Sequence, residues 1–245
     1  MECQSLPVSL SFTHRLVSMG ILLASLAPVF IILFYIYFRD KYEKEPLKML
    51  VKAILGGILI ILPVIFVERW LAAVSPFSGK VGQAAWHAFV VAGSTEGVFK
   101  FLALDLLIWK SPSFNEKFDG IVYAVFVSLG FAAVENVMYV MDGGYQTAAI
   151  RAITAVPAHA IFGVTMGYYL GIAHMYEELR KTYLLWALVI PILLHGIYDF
   201  ILMVEIGWLL ILFIPYVILL YIIGMRKMKT LSDASVFKPL DEVVD

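Results

Sequence analysis

Glu96, Lys100, Glu135, Asn136, His159, His195 and Asp199 are the residues of this chain whose types and spacing could do chemistry, and all seven lie in stretches apolar enough to sit inside a lipid bilayer. An ionisable side chain at bilayer depth costs about 3 kcal/mol or more, so such groups face a polar cavity, where they serve catalysis or transport. Glu96 and Lys100 are four apart and share a helix face. Taken alone, the pair reads equally well as a structural ion pair that makes two buried charges tolerable. In His195-Gly196-Ile197-Tyr198-Asp199, an acid one helical turn from an imidazole can accept its N–H, fix the tautomer and raise its basicity, which suits a metal ligand or a base. Pro191, one turn earlier on that face, removes a backbone hydrogen bond and opens room beside His195. His159 heads a stripe of Gly163, Gly167 and Gly171 along which a second helix can approach closely, so this stripe is expected to pack inward. Glu135 and Asn136 close the run Gly130–Asn136 and suggest a polar niche. Asp105 and His87, each nine residues from Glu96, fall about 180° round an ideal helix and read as interfacial groups.

The elements that must position these residues follow from composition. The chain has 245 residues, 62% of them hydrophobic and 15% charged, with a mean hydropathy of +0.89. A soluble domain is nearer 45–50% apolar, so the expected class is an all-α polytopic membrane bundle. At about 20 apolar residues per crossing, some seven transmembrane helices are expected, near 16–38, 50–67, 83–109, 120–140, 148–174, 183–203 and 206–224. The first has no cleavage pattern and no basic cluster before it, and reads as a retained anchor. Arg39, Lys41, Lys44, Lys48, Lys52, Lys110, Lys117, Arg180, Lys181, Arg226, Lys227, Lys229 and Lys238 flank alternate connections, against only Arg15, Arg69, Lys80 and Arg151 on the other side. The positive-inside rule then predicts an outside N-terminus and a cytoplasmic C-terminus in a multi-pass cell-membrane protein. One membrane domain over 1–229 and a mobile cytoplasmic tail over 230–245 complete the organisation. A net charge of -1 gives no basic field for nucleic acid. The single cysteine, Cys3, excludes an intrachain disulfide and a thiolate metal cluster.

Depth joins the polar residues. With a rise of about 1.5 Å per residue, Glu96 lies about 20 Å, His159 about 17 Å, His195 about 13 Å and Glu135 about 9 Å below the outer ends of their spans. One shared cavity between mid-membrane and the outer interface accommodates all four.

At these residues the chain resembles the PrsW family of intramembrane proteases, related to the CAAX prenyl endopeptidases. Over about Lys80 to Phe200, the family's Glu-Glu-x-x-Lys element corresponds to Glu96–Lys100, its Phe-x-x-x-Glu-Asn element to Phe131–Asn136, its lone histidine to His159, and its His-x-x-x-Asp element to His195–Asp199. The departure is Gly97, which stands where the family has its second glutamate. The resemblance implies a peptidase in which Glu96, His159 and His195 are catalytic, with Lys100, Glu135, Asn136 and Asp199 in support. It implies Glu96 as general base, with the histidines either holding a metal-bound water or, without metal, orienting water and stabilising the oxyanion. Two histidines and a carboxylate can make a zinc site. His159, His195 and Glu135 are the candidate ligands, although no His-Glu-x-x-His helix is present. The implied substrate is a single-pass membrane protein of the anti-sigma-factor kind, cut near the outer face and reached through membrane lipid. Two other readings predict different outcomes. A pseudoprotease, supported by Gly97, would bind membrane segments without cutting them, and a proton or cation transporter would show flux dependent on the same residues.

Overall fold

The computed structural model describes residues 8–239, with side chains from residue 19 onward. Cys3, the Arg15 side chain and the last acidic residues, Asp241, Glu242 and Asp245, lie outside the described residues. The described residues are all helical where ordered in secondary structure, with no strand among them. In chain order they form α1 (Val8–Arg39), α2 (Leu47–Leu59), α3 (Ile61–Ala73), α4 (Lys80–Ala85), a π-helical stretch (Trp86–Ser94), α5 (Thr95–Leu107), α6 (Lys117–Ile153), α7 (Ala155–Met175), α8 (Arg180–Met203) and α9 (Gly207–Asp233).

Among the described residues, five stretches are long and apolar enough to cross a membrane: Met19–Arg39, Leu47–Ala73, Lys117–Met175, Glu177–Met203 and Gly207–Asp233. The seven spans expected from sequence divide the Lys117–Met175 stretch at the turn between α6 and α7. They also add the run formed by α4, the π stretch and α5.

α6 is the central helix. Every residue from Phe118 to Ala132 is buried, as expected of a helix apolar all round. α7 runs antiparallel against it, and the small-residue stripe that follows His159 makes the contact. A methyl group on Gly120 would lie 2.7 Å from the Gly171 nitrogen, and one on Gly163 would lie 3.0 Å from the Ala124 carbonyl oxygen. Backbones this close exclude any larger side chain and maximise packing where lipid supplies no hydrophobic drive. Large apolar side chains such as Phe30 and Phe34 on α1 and Ile211 and Ile214 on α9 are exposed, the surface expected of helices that face acyl chains.

About 24 Å along α6 from Glu135, the loop between α1 and α2 meets the start of α6 in a buried acidic cluster of Asp40, Glu45, Glu116 and Asp119. Asn115 and Glu116 each donate a backbone N–H to Asp119 Oδ2 at 2.8 Å, and the Tyr123 hydroxyl donates to the Glu45 carboxylate. Beyond α9, the Ser235 hydroxyl donates to Glu116 Oε2 at 2.5 Å. Burial, reinforced by the Asp119 carboxylate and opposed by Lys44, pushes Asp40 up to about 7. Burial also pushes Glu45 up to about 7 despite the Tyr123 hydrogen bond. Both values lie above the unfolded carboxylate range of about 4, so the folded state binds more protons. Their stabilising contribution is complete below about pH 4 and is lost as pH rises through about 7. Melting of the purified protein in detergent is therefore expected to fall by several degrees between pH 5.5 and pH 8, as about 1 kcal/mol moves the midpoint of a chain this size by 2–4 °C. Asp40→Asn is expected to flatten that slope, and a slope unchanged in the variant contradicts the assignment.

Candidate active site

Six elements, α3, the π stretch, α5, α6, α7 and α8, converge on one chamber. The π stretch delivers α5: its widened turn is held by the Ser94 hydroxyl on the Phe89 carbonyl at 2.6 Å and the Thr95 hydroxyl on the Val90 carbonyl at 3.4 Å. π-helical turns mark functional sites because they displace the side chains that follow. Here Glu96 enters the first turn of α5 buried, and His87 lines the same chamber. The sequence reading put His87 on the opposite face because it assumed a uniform α-helical period. Asp105, by contrast, is exposed as expected.

Lys100 Nζ donates to Glu96 Oε2 at 2.7 Å and to His159 Nδ1 at 3.2 Å. It also lies 4.2 Å from the centroid of the Phe131 ring, an additional site for a buried cation. An ammonium only donates, so His159 Nδ1 accepts and its proton sits on Nε2, which faces Glu135 Oε2 at 2.7 Å. The backbone of His159 is fixed to α6 by the Ser128 hydroxyl, which donates to its carbonyl at 2.6 Å. On α8, His195 Nε2 faces Asp199 Oδ2 at 3.1 Å, and the ring stacks on Phe162 at 4.9 Å. Glu96 Oε2 stands 3.9 Å from Nδ1 of both His159 and His195, whose ring centroids are 5.4 Å apart.

Glu96, Glu135, His159, His195 and Asp199 line a chamber of about 520 Å³; Lys100 reaches it through Glu96 and His159. Asn136 does not join them. It lies fully buried behind Glu135, donates to the Ser25 carbonyl of α1 at 2.6 Å and accepts from Arg151 Nε at 2.7 Å. Sequence reasoning missed Glu68 on α3 and Arg151, both of which line the chamber. Arg151 carried a signal, a cation amid Ala149, Ile150, Ala152 and Ile153, but its position at the outer end of the span expected over 148–174 made it a charge that bears on topology alone.

Gly97 occupies the helix contact rather than the chamber wall. A Cβ at this position would collide with Ile192 Cγ1 of α8, and Gly93 one turn earlier lies against the Ile192 carbonyl and the Gly196 nitrogen. The close approach of α5 and α8, which brings Glu96 to His195, uses these glycines. Gly97→Glu is expected to destabilise the fold by about 1–3 kcal/mol through overpacking, with part of the loss recovered when Ile192→Ala is added. Thermal unfolding of the two variants checks this, and a Gly97→Glu protein as stable as the parent contradicts it.

The fold and chamber define a polytopic membrane protein with a buried acid–imidazole site. A family model described as PrsW family intramembrane metalloprotease matches residues 45–224, a longer stretch than the motifs alone span. The chain is 39% identical over 218 residues to "Protease PrsW" of Clostridioides difficile (strain 630), covering 86% of this chain and 91% of that protein. It is 35% identical over 211 residues to "Protease PrsW" of Bacillus subtilis (strain 168), covering 86% and 94%. No solved structure matches. The chain belongs to the PrsW family of intramembrane proteases, and is a peptidase of the multi-pass cell-membrane class.

The family description implies a metal, and the donor types present, two imidazoles and several carboxylates, are those zinc takes. Their arrangement here does not form a cradle. Among the described residues no three of His, Cys, Asp and Glu are placed to hold a metal ion. The Lys100 ammonium lies between Glu96 and His159 Nδ1, and Glu135 sits against the other nitrogen of His159.

Proposed function

We propose that the chain is an endopeptidase that hydrolyses a peptide bond of a single-pass, membrane-anchored regulatory protein near the outer face of the membrane, with Glu96 as the general base. The observation that supports this most directly is that one carboxylate oxygen, Glu96 Oε2, is held by Lys100 at 2.7 Å and stands 3.9 Å from Nδ1 of each histidine. A water placed between Glu96 and His195 Nδ1 would have the Glu96 carboxylate to accept its proton. Glu96 takes the water's proton as its oxygen bonds to the scissile carbonyl carbon, the Nδ1–H of a His195 imidazolium paired with Asp199 meets the developing oxyanion, and Lys100 holds the Glu96 carboxylate in place. The proton on Glu96 then passes to the leaving amine as the C–N bond breaks. Asp199 orients His195, and Glu135 orients His159. The reading includes seven spans, with the N-terminus outside as the distribution of lysine and arginine favours.

No step of this scheme passes through a metal. The purified protein, reconstituted with a synthetic single-span substrate, is expected to cut it at the same rate, within about twofold, before and after dialysis against a strong zinc chelator. Loss of more than about tenfold, restored by zinc, would replace this mechanism with a metal-dependent one. Absence of any cleavage, with the segment still bound, would favour the pseudoprotease reading that Gly97 supports.

A further inference from the structure

We infer that Arg151 is a positioning residue, which holds Glu135 against His159 and ties the setting of that imidazole to the short helical segment 145–153. The inference rests on the proposed role of His159 and goes beyond it. Three contacts converge on the guanidinium. Nη2 forms an ion pair with Glu135 Oε2 at 3.3 Å, Nε donates to Asn136 Oδ1 at 2.7 Å, and the group lies 4.2 Å from the Tyr139 ring centroid. Glu135 Oε2 is thus shared, 3.3 Å from Arg151 and 2.7 Å from His159 Nε2. The side chains of Arg151, Glu135 and His159 are 14%, 18% and 5% exposed, so the contacts are shielded from bulk water and weakly screened. A carboxylate so placed without its cation would be free to turn away from the imidazole.

The backbone that carries Arg151 is set apart from the rest of the bundle. Gly144 breaks α6 with φ 69°, a left-handed conformation that favours glycine, and α6 ends at Thr154, the one turn residue before α7. The residues between them lie against two cavities. Arg151 lines the catalytic chamber, while Ala148, Ala149 and Ala152 line an apolar groove of about 620 Å³ shared with α1 and α9. Displacement of this segment moves the cation and, through Glu135, reaches His159.

The test compares Arg151→Gln, Arg151→Lys, Glu135→Gln and the Arg151→Gln/Glu135→Gln double variant in the full chain, with kcat and KM for a single-span substrate. Arg151→Gln is expected to lower kcat at least about tenfold with KM within about threefold, and Arg151→Lys to recover most of kcat. The double variant is expected to match Glu135→Gln within about twofold, because two residues acting through one contact do not add. Full additivity, or an Arg151→Gln protein with parental kcat, overturns the inference while leaving the proposed function standing. A readout independent of cleavage accompanies these. In protein labelled with ¹⁵N at its 5 histidines, the imidazole signals that vanish in His159→Asn are expected to shift in Arg151→Gln. Signals left in place overturn the inference even if the parent cuts nothing, and that last result separately removes the proposed function.

Discussion

Glu96→Gln is expected to reduce cleavage by about a hundred- to ten-thousand-fold, the range a positioned general base contributes. Glutamine keeps a carbonyl oxygen for Lys100 but cannot take a proton from water, so the variant separates the chemical role of the residue from its place in the fold. Glu96 Oε2 is where the contacts of the chamber meet: Lys100 holds it, and both imidazoles face it at 3.9 Å. The ammonium also retains His159 Nδ1 and the face of Phe131 as partners, and the variant is therefore expected to fold and to bind substrate. Cleavage at the parental rate by Glu96→Gln would remove Glu96 as the base, whatever the chelator experiment shows.

Lys100→Met carries the second large effect, and it acts on stability as well as rate. The side chains of Lys100 and Glu96 are 5% and 6% exposed. Removing one member of a buried ion pair strands the other charge, at a cost of about 3–5 kcal/mol. The same substitution takes away the donor to His159 Nδ1 and the group that fixes the Glu96 carboxylate. A fall in the unfolding midpoint and a loss of at least about a hundredfold in kcat are expected together. Adding Glu96→Gln to Lys100→Met is expected to return most of the stability and none of the activity, since replacing both members of a buried pair with uncharged groups is often neutral. A Lys100→Met protein that is both stable and active would contradict the electrostatic account of the chamber.

Much of this site could be read from the chain because its members announce themselves by their cost. A glutamate, a lysine or a histidine in an apolar run requires a reason, and spacings of four in Glu96–Lys100 and His195–Asp199 named their own partners. The glycine stripe after His159 likewise told which face of α7 meets α6. What escaped depends on geometry that local patterns do not carry. The π stretch over Trp86–Ser94 turns His87 into the chamber, and a uniform helical period could not show it. Arg151 reaches Glu135 only because Gly144 turns the chain, and Asn136 points to α1 rather than to His159 because Ser25 offers a carbonyl there. Gly97 looked like a missing carboxylate in sequence; in the fold it is the room that Ile192 of α8 occupies.

The central claim, that this chamber hydrolyses a peptide bond within the membrane plane, is tested most directly by mapping the bond that is cut. The parent chain is reconstituted in liposomes with a synthetic single-span substrate, and the two fragments are weighed by mass spectrometry. The account predicts one cleavage inside the apolar span or at its outer border. A substrate left intact, or cut only in its water-exposed flanks, would contradict it.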